Sequence, residues 1–433
     1  MGTSVGQTPA MDTHHPERAP TGPPPVPHFE ATAPLGGTAP VPEVVRPTSN
    51  RRELVLVAAL LVLSVVAGAS SLMPWRDWGR QFGAPIVETG WERPDGSLGR
   101  GWIAVALAVL VAAALAYPLG FDPYDVGNAA YFLIWVFAAL GLSLMWGYTG
   151  ILSFGQMAFF GVAGYSYGVI SINLAATGGL TLLSFAAAVG VSALFAAVLG
   201  YFMIYGRVGG VYFGIVTFAT TLALAAFMGQ TAGPEWRIGS ARFNGFNGMG
   251  GMPPLELPWF GGPVFLEGSV LYYAVLLFLL AVYLGLRVLV NGRFGNVLVA
   301  IREDPLRAEL LGYDVRRYQL AVFVIGSALA GVSGALYTAW GQFITPATMG
   351  LPSAALPIIW VAFSGRGDLT ATMLGTFVLL LGFQALTVYS QQYALILMGL
   401  LLLVTVLFAP AGFVAGFGRW LQERARRRAA RGA

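Results

Sequence analysis

Apolar windows of about 20 residues recur along most of this chain, and no other feature constrains its fold as strongly. A helix of that length crosses roughly 30 Å of hydrocarbon. A segment in lipid must be helical, because its backbone groups find no water to bond. Of the 433 residues, 56% are hydrophobic and only 10% are charged. The sequence therefore predicts an all-α polytopic membrane protein rather than a set of soluble domains.

Eleven apolar segments follow one another along the chain. They lie at about 54–73, 102–118, 129–147, 154–173, 181–204, 209–229, 264–286, 319–342, 353–364, 369–388 and 394–412. The segment at 353–364 is short for a crossing. The stretch 150–173 holds five glycines, so we expect it to be broken or re-entrant.

Arginine placement predicts which ends of these segments face the cytoplasm. Six arginines lie in the loop 287–318 and six in the tail 415–433, so both should be inside. Arg51 and its neighbours before the first segment place the N terminus there too. Two cytoplasmic termini require an even number of crossings, so one upstream segment should not cross fully, and 150–173 is our candidate. The result is about ten transmembrane helices.

The two ends of the chain differ from its middle. Residues 1–50 are rich in Pro, Thr, Gly and Ala, which predicts a disordered cytoplasmic tail. This tail holds all three histidines, and we expect its His14–His15 pair to be solvated rather than bound to metal. Residues 51–128 form N-terminal spans with a polar loop. The loop 231–262 is dense in Gly, Asn and Pro, which predicts turns, and it faces outward in this topology.

Composition excludes several classes of function. The chain has no cysteine, and all 24 of its basic residues are arginine, so it lacks the lysine that a P-loop places on nucleotide phosphates. No histidine and no paired carboxylates lie in a span, which argues against proton coupling and against a membrane enzyme with acid–base chemistry. A sodium-coupled carrier that uses backbone carbonyls stays open.

One charged stretch, AIREDPLRAELLGYDVRRYQL at 300–320, stands between two apolar segments. Its eight charges would cost on the order of 20 kcal/mol at the bilayer centre, so it is not a span. Asp304 before Pro305 predicts the start of one short surface helix, and Gly312 predicts its end. A shared apolar face is expected for Ala300, Ile301, Ala308, Leu310 and Leu311. Such a helix is either a solvated connector or a docking helix for a cytoplasmic motor.

Four stretches carry a family resemblance. They are NGRFGNVLVAIREDPLRAELLGYDVRRYQLAVFVIGSALAGVSGALY (291–337), ALGLSLMWGYTGILSFGQMAFFGVAGY (139–165), GVYFGIVTFA (210–219) and LMGLLLLVTVLFAPAGFV (397–414). Together they resemble the LivM-like permease subunits of bacterial branched-chain amino-acid ABC importers. The resemblance implies a permease domain over 129–414, with 287–318 as its coupling loop.

The resemblance also implies partners and sites. The family's coupling helix sits in a groove of an ATP-binding subunit, and the implied contact residues are Arg302, Glu303, Asp304, Arg307, Glu309 and Gly312. ATP and Mg²⁺ would be bound by two such cassette subunits and not by this chain. A second permease subunit and an extracytoplasmic solute-binding protein would complete the complex in the bacterial inner membrane. Nothing in the resemblance implies nucleic acid as a partner.

The substrate is less constrained. The family carries branched-chain or other hydrophobic amino acids, and a related branch carries urea and short amides, which 358–375 and 144–150 resemble. Gln156 stands where the family often has histidine. The polar residues on apolar segments are the candidate pathway: Ser153, Gln156, Thr217, Thr220 and Thr221. The alternative for any one of them is helix packing, worth about 0.6 kcal/mol.

Overall fold

A computed structural model of the chain describes residues 112, 114–175, 180–259, 262–389, 391–408 and 412–414. The predicted segment 54–73, the tail 1–50 and the arginine-rich tail 415–433 lie outside these residues, as does most of the segment 102–118. The domain boundaries predicted at 50 and 414, and the placement of the two termini, therefore stay predictions.

Helices account for most of the described chain. In order they are α1 (Pro123–Thr149), α2 (Gln156–Leu174), α3 (Thr181–Tyr205), α4 (Val211–Gly229), α5 (Gly268–Asn291), α6 (Arg293–Glu303), α7 (Pro305–Leu310), α8 (Val315–Gly341), α9 (Leu351–Ser364), α10 (Leu369–Tyr389) and α11 (Gln391–Phe408). Seven helices in this part of the chain are long and apolar enough to cross a membrane. The expected all-α polytopic membrane fold is confirmed.

Short strand pairs cap one end of the helix bundle. They are β1 (Arg237–Ile238) with β2 (Ala241–Arg242), β3 (Met249–Gly250) with β6 (Phe343–Ile344), and β4 (Glu256–Trp259) with β5 (Gly262–Phe265), all antiparallel. We call this the hairpin end. The opposite end, where α6 and α7 lie, is the α6–α7 end. Turns are thus present in the described part of the loop 231–262, which forms short strands rather than long helices.

Helix α8 lies at the centre of the bundle and packs against α1, α2 and α3. Glycines allow the close crossings: a side chain at Gly141 would collide with the Gly326 carbonyl, and one at Gly334 with the Phe160 carbonyl. Ser333 adds a hydrogen bond from its hydroxyl to the carbonyl oxygen of Ile134, at 2.8 Å. Small residues and buried hydroxyls at helix contacts are what membrane bundles use in place of a hydrophobic driving force.

The glycine-rich segment 150–173 is broken but is not re-entrant. Residues 150–155 are not helical, whereas α2 continues without interruption from Gln156. Gly150 lies beside the Arg302 side chain at the α6–α7 end. Asn173 donates to the carbonyl of Ile238 at the hairpin end, at 2.8 Å. The segment thus runs from one end of the bundle to the other, and the expectation that it does not cross fully was wrong.

The glycines within α2 explain why that expectation failed. A side chain at Gly161 would collide with Met349, one at Gly164 with Ile344 and one at Gly168 with Met249. These glycines therefore serve close packing inside a continuous helix. Only Gly150, with φ 75°, and Gly155, at the N-cap of α2, belong to the break itself.

A second irregular crossing precedes α9, which has only 14 residues. The chain leaves α8 through β6 and a 3₁₀ turn, Pro346–Met349, whose Met349 is 1% exposed. Past the end of α9, the Arg366 carbonyl lies against Gly147 at the α6–α7 end. The short segment therefore connects both ends of the bundle.

Candidate functional site

The charged loop forms two helices instead of the one expected. Helix α6 ends at Glu303, Asp304 takes an extended conformation, and Pro305 occupies the first turn of α7. The Asp304 carboxylate accepts a hydrogen bond from the Arg307 backbone N–H at 3.0 Å, which caps α7 as the sequence predicted. Gly312, with φ 89°, forms the left-handed turn that follows α7.

This loop is held in one shape by a small core of its own. Val297, Ile301, Ala308 and Val315 are all buried together, with Tyr318 packed against them. The Asp314 carboxylate caps α8 by accepting from the Arg317 backbone N–H at 3.2 Å. Because α6 follows α5 and the loop ends in α8, the unit is connected directly to two long helices.

Arg302 connects the loop to the bundle. Its Nη1 donates to the carbonyl oxygen of Gly147 in the last turn of α1, at 2.6 Å. Its Nη2 pairs with the Glu303 carboxylate, also at 2.6 Å. A cation at a helix C terminus complements the partial negative charge there, and α1 has no basic residue of its own in that turn. Arg302 therefore links the loop to the end of α1, and its predicted contact with an ATPase stays a prediction.

Large apolar side chains are exposed on and just after α7. Leu306 is 67% exposed and Leu310 is 80% exposed, and Leu311 just after the helix is 71% exposed. Ala308 alone faces inward, at 2%. The expectation that Leu310 and Leu311 share a face with Ala308 was wrong: Leu310, two residues after Ala308, lies on the opposite side of the helix, and the chain turns before Leu311. A compact set of exposed leucines on a charged loop marks an interaction surface.

A groove of about 470 Å³ separates α7 from the loop between α3 and α4. Glu309 of α7 lines it together with Arg207 and Arg316. The Arg316 guanidinium lies 5.9 Å from the centre of the Tyr205 ring. Of the predicted contact residues, Glu309 thus faces the groove, whereas the Arg307 side chain is 80% exposed and lies 3.4 Å from Asp304.

Three of the five predicted pathway residues surround the break before α2. The Phe154 N–H donates to the Thr217 hydroxyl at 3.1 Å, and the Thr221 hydroxyl donates to the Phe154 carbonyl at 3.3 Å. The Gly155 N–H donates to the Ser153 hydroxyl at 3.1 Å. These hydroxyls replace the backbone bonds that an irregular segment forgoes inside an apolar bundle. The Thr217 and Thr221 hydroxyls attach the break to α4.

Thr220 does not belong to this group. Its hydroxyl donates to the Val216 carbonyl one turn earlier on α4, at 2.8 Å, on a more exposed side of the helix. Helical spacing separates Thr220 from Thr217 and Thr221, although the three are near neighbours in sequence.

Gln156 is the remaining member and differs from the others. It is the first residue of α2 and is 1% exposed. Its Nε2 donates to the sulfur of Met145 at 3.3 Å, and among the described residues its Oε1 has no hydrogen-bond partner. A buried acceptor without a partner costs stability. Of the predicted pathway residues, Gln156 is thus the one whose hydrogen-bonding capacity the described residues only partly satisfy.

Several residues of these sites were missed from the sequence. Gly147 accepts the Arg302 hydrogen bond through its backbone carbonyl oxygen, and such a contact cannot be predicted from the residue type. Met145 lies in an apolar segment, and its sequence position does not predict that its sulfur accepts a hydrogen bond from Gln156. The leucines of α7 could have been found from the sequence, since LRAELL places apolar residues in a charged loop. Their faces were predicted for one helix, whereas the loop forms two.

Comparison with known proteins identifies the family. Residues 126–406 match the family described as branched-chain amino acid transport system / permease component. The high-affinity branched-chain amino acid transport system permease protein LivM of Escherichia coli (strain K12) is 24% identical over 322 residues, which is 71% of this chain and 74% of that protein. LivM of Salmonella typhimurium (strain LT2) is 25% identical over the same length, with the same coverage of both chains.

A further relative, matched over a shorter stretch, carries a different permease name. The probable branched-chain amino acid transport permease protein LivH of Methanocaldococcus jannaschii is 27% identical over 148 residues, which is 32% of this chain and 45% of that protein. No solved structure matched the chain significantly. The family match covers most of the described helices, including α6 and α7. The chain therefore belongs to the family of permease components of branched-chain amino-acid transport systems.

Proposed function

We propose that this chain is one of two permease subunits of an ATP-driven importer for branched-chain and other hydrophobic amino acids. ATP and Mg²⁺ are bound by separate ATPase subunits. The observation that carries the proposal is the α6–α7 loop: it is held rigid by its own core, presents exposed leucines and bonds directly to α1. The α6–α7 end then faces the cytoplasm of a bacterial cell, in line with its arginines.

In this proposal α7 enters a groove of an ATPase subunit. Leu306, Leu310 and Leu311 supply the apolar contact area, and Arg307 and Glu309 at its border fix the docking register. Movement of the ATPase then pulls on α7. Because α6 and α7 share a packed core, the pull reaches Arg302 without being lost in a flexible loop.

From Arg302 the movement reaches the interior of the bundle. Arg302 holds Gly147, and the break at 150–155 begins just three residues later. Thr217 and Thr221 attach the break to α4. A displacement of α7 is thus applied to the end of α1 and to the start of α2, where Gln156 lies. This is a mechanical connection between ATP hydrolysis outside the membrane and the centre of the permease.

The remaining partners follow from family membership. The similarity to a LivH protein supports a second permease of related fold, and this chain forms a heterodimer with it. A solute-binding protein delivers the amino acid to the hairpin end. Amino acids are preferred over urea and short amides because the relatives named above are branched-chain amino-acid permeases, whereas the resemblance to the urea branch is limited to two short stretches.

Transport in proteoliposomes tests this proposal. The permease pair is reconstituted with its ATPase subunits, and uptake of labelled leucine, isoleucine and urea is measured with binding protein outside and ATP inside. We expect uptake of leucine and isoleucine that needs ATP, the ATPase subunits and the binding protein. Uptake driven by a sodium gradient without ATPase subunits would overturn it in favour of a secondary carrier. Uptake of urea alone would replace the substrate class.

A further inference from the structure

Two arginines face each other on the β1–β2 hairpin. Arg237 and Arg242 are direct cross-strand partners in this two-residue antiparallel pair, and both are exposed. Residues in that position have Cβ atoms about 5 Å apart, so the two positive charges share one small area. Trp236, 39% exposed, and Ile238, 54% exposed, border the pair. Like charges directly opposite each other destabilise a hairpin.

The rest of the described chain does not neutralise this pair. Among the described residues, ion pairs join only Arg302 to Glu303, Arg307 to Asp304 and Arg317 to Asp314, all at the α6–α7 end. Acidic side chains are present at the hairpin end, including Glu235 just before β1 and Glu267 before α5. Neither forms a described ion pair with Arg237 or Arg242. The local repulsion is therefore not relieved within this part of the chain.

The hairpin that carries the pair is firmly attached. At the end of α2, the Asn173 amide donates to the Ile238 carbonyl at 2.8 Å and accepts from the Ser240 N–H at 2.9 Å. Gly239 in the turn has φ 62°, and a side chain there would collide with Asn173. The Trp236 ring meets Phe227 of α4 edge-on, with centroids 5.5 Å apart. The two arginines are thus presented on a platform fixed to α2 and α4.

We propose that Arg237 and Arg242 are a docking point for carboxylates on the solute-binding protein. A preformed pair of guanidinium groups suits side-by-side carboxylates, since each can accept two N–H bonds. Trp and Arg are among the residue types that contribute most of the binding energy at protein interfaces, and Trp236 lies next to Arg237. The platform rests on α2 and α4, the two helices joined at the break by Thr217 and Thr221. Docking here therefore acts on the same helices that the α6–α7 loop reaches from the other end.

This inference rests on the importer function proposed above, and the experiment separates the two. The complete transporter is placed in nanodiscs and titrated with its own solute-binding protein. The variants are Arg237→Glu/Arg242→Glu and Arg237→Lys/Arg242→Lys. Size-exclusion chromatography with the ATPase and permease partners checks that each variant folds and assembles. We expect Kd to rise about ten-fold or more for the glutamate variant and less for the lysine variant, which keeps the charge but loses the bidentate geometry.

A matched control reverses a charge elsewhere at the same end. Glu267→Arg alters an exposed residue in the turn before α5 by two charge units, half of the four units that Arg237→Glu/Arg242→Glu changes. We expect a much smaller change in Kd than for the arginine pair. If Glu267→Arg tightens binding by as large a factor per charge unit as the double variant weakens it, net charge rather than a local contact governs docking, and the inference fails. Raising the salt concentration should weaken binding to the unmodified transporter and have little effect on the glutamate variant.

Other outcomes are equally decisive. An unchanged Kd in the glutamate variant overturns the docking point. If that variant instead loses a preference for nanodiscs rich in phosphatidylglycerol while keeping its affinity for the binding protein, the arginines contact lipid headgroups. If the unmodified transporter takes up no amino acid with ATP and binding protein, the importer function fails. Normal uptake together with an unchanged Kd in the variant removes only the present inference.

Discussion

Arg302 donates a hydrogen bond of 2.6 Å to the carbonyl oxygen of Gly147, which lies 155 positions earlier in the chain. The bond links the end of α6 to the last turn of α1. Since the break before α2 follows that turn directly, Arg302 joins the α6–α7 loop to the end of α1 at which the break begins. The family resemblance implied a contact with the ATPase for this residue, whereas its geometry gives it an internal partner.

Replacing Arg302 should separate ATP hydrolysis from transport. Arg302→Ala removes the bond to Gly147 but leaves the leucines of α7 in place, so ATPase subunits should still bind. We expect uptake per ATP hydrolysed to fall about five-fold or more, in the range of coupling energies of 1–3 kcal/mol. Arg317→Ala is the matched control, because among the described residues the Arg317 side chain pairs with Asp314 at the surface and has no part in the proposed docking. Equal coupling ratios in the two variants would contradict this role of Arg302.

The exposed leucines of α7 should determine assembly. Serine at Leu306, Leu310 and Leu311 together removes apolar area that a partner would bury at about 25 cal/mol per Å². We expect the ATPase subunits to be lost on affinity purification of the permease. Leu257→Ser, at an exposed position of β4 at the hairpin end, is the control and should leave the complex intact. Full recovery of the ATPase subunits with the triple variant would place their contact elsewhere.

The sequence was sufficient for most of the architecture and insufficient for its details. Nine predicted apolar segments correspond to long or apolar helices in the described part of the chain, because hydrophobicity over about 20 residues leaves few alternatives in lipid. The break before α2 was expected from glycines, but most of those glycines pack against β3, β6 and the 3₁₀ turn before α9. Their contacts depend on Met249, Ile344 and Met349, which are distant in sequence.

The candidate sites also divide into features set by neighbouring residues and features set by contacts between distant parts of the chain. Caps at Asp304 and the turn at Gly312 depend on neighbouring residues and were predictable. The destination of the Arg302 side chain and the role of the Gly147 carbonyl depend on how α1 and α6 meet. Ser153, Thr217 and Thr221 were chosen as polar residues in apolar segments, a criterion that cannot distinguish a hydroxyl that supports backbone from one that meets a solute.

Thr217 and Thr220 provide a matched pair on one helix. Thr217→Val leaves the Phe154 N–H without an acceptor inside the bundle, and such an unpaired group costs about 1–3 kcal/mol. Thr220→Val removes only a bond to the carbonyl one turn earlier. We expect a clear drop in the thermal unfolding midpoint for Thr217→Val and almost none for Thr220→Val, measured on purified protein in detergent. Similar shifts in both would mean that the break is not held by α4.

Gly334 and Gly285 allow a similar comparison of packing. A side chain at Gly334 would collide with the Phe160 carbonyl where α8 crosses α2, whereas Gly285 on α5 has open space. Gly334→Ala should destabilise the bundle by about 1–3 kcal/mol, as overpacking does. Gly285→Ala should be neutral or slightly stabilising because alanine favours helix. The folded fraction after a heat step is the measurement, and an unaffected Gly334→Ala would mean that the helices can separate at no cost.

Gln156 should matter for uptake more than for folding. Gln156→Leu replaces the amide with an apolar group of similar size, and removing a buried acceptor that lacks a partner should not lower the unfolding midpoint. We expect the complex to assemble while uptake of leucine falls several-fold, because the start of α2 then offers no amide to a passing polar group. Thr376→Val is the control: it likewise deletes a buried polar atom, the Thr376 hydroxyl, that has no partner among the described residues. This variant should transport normally. Normal uptake by Gln156→Leu would remove this residue from the pathway and make it a packing residue of the crossing between α1 and α2.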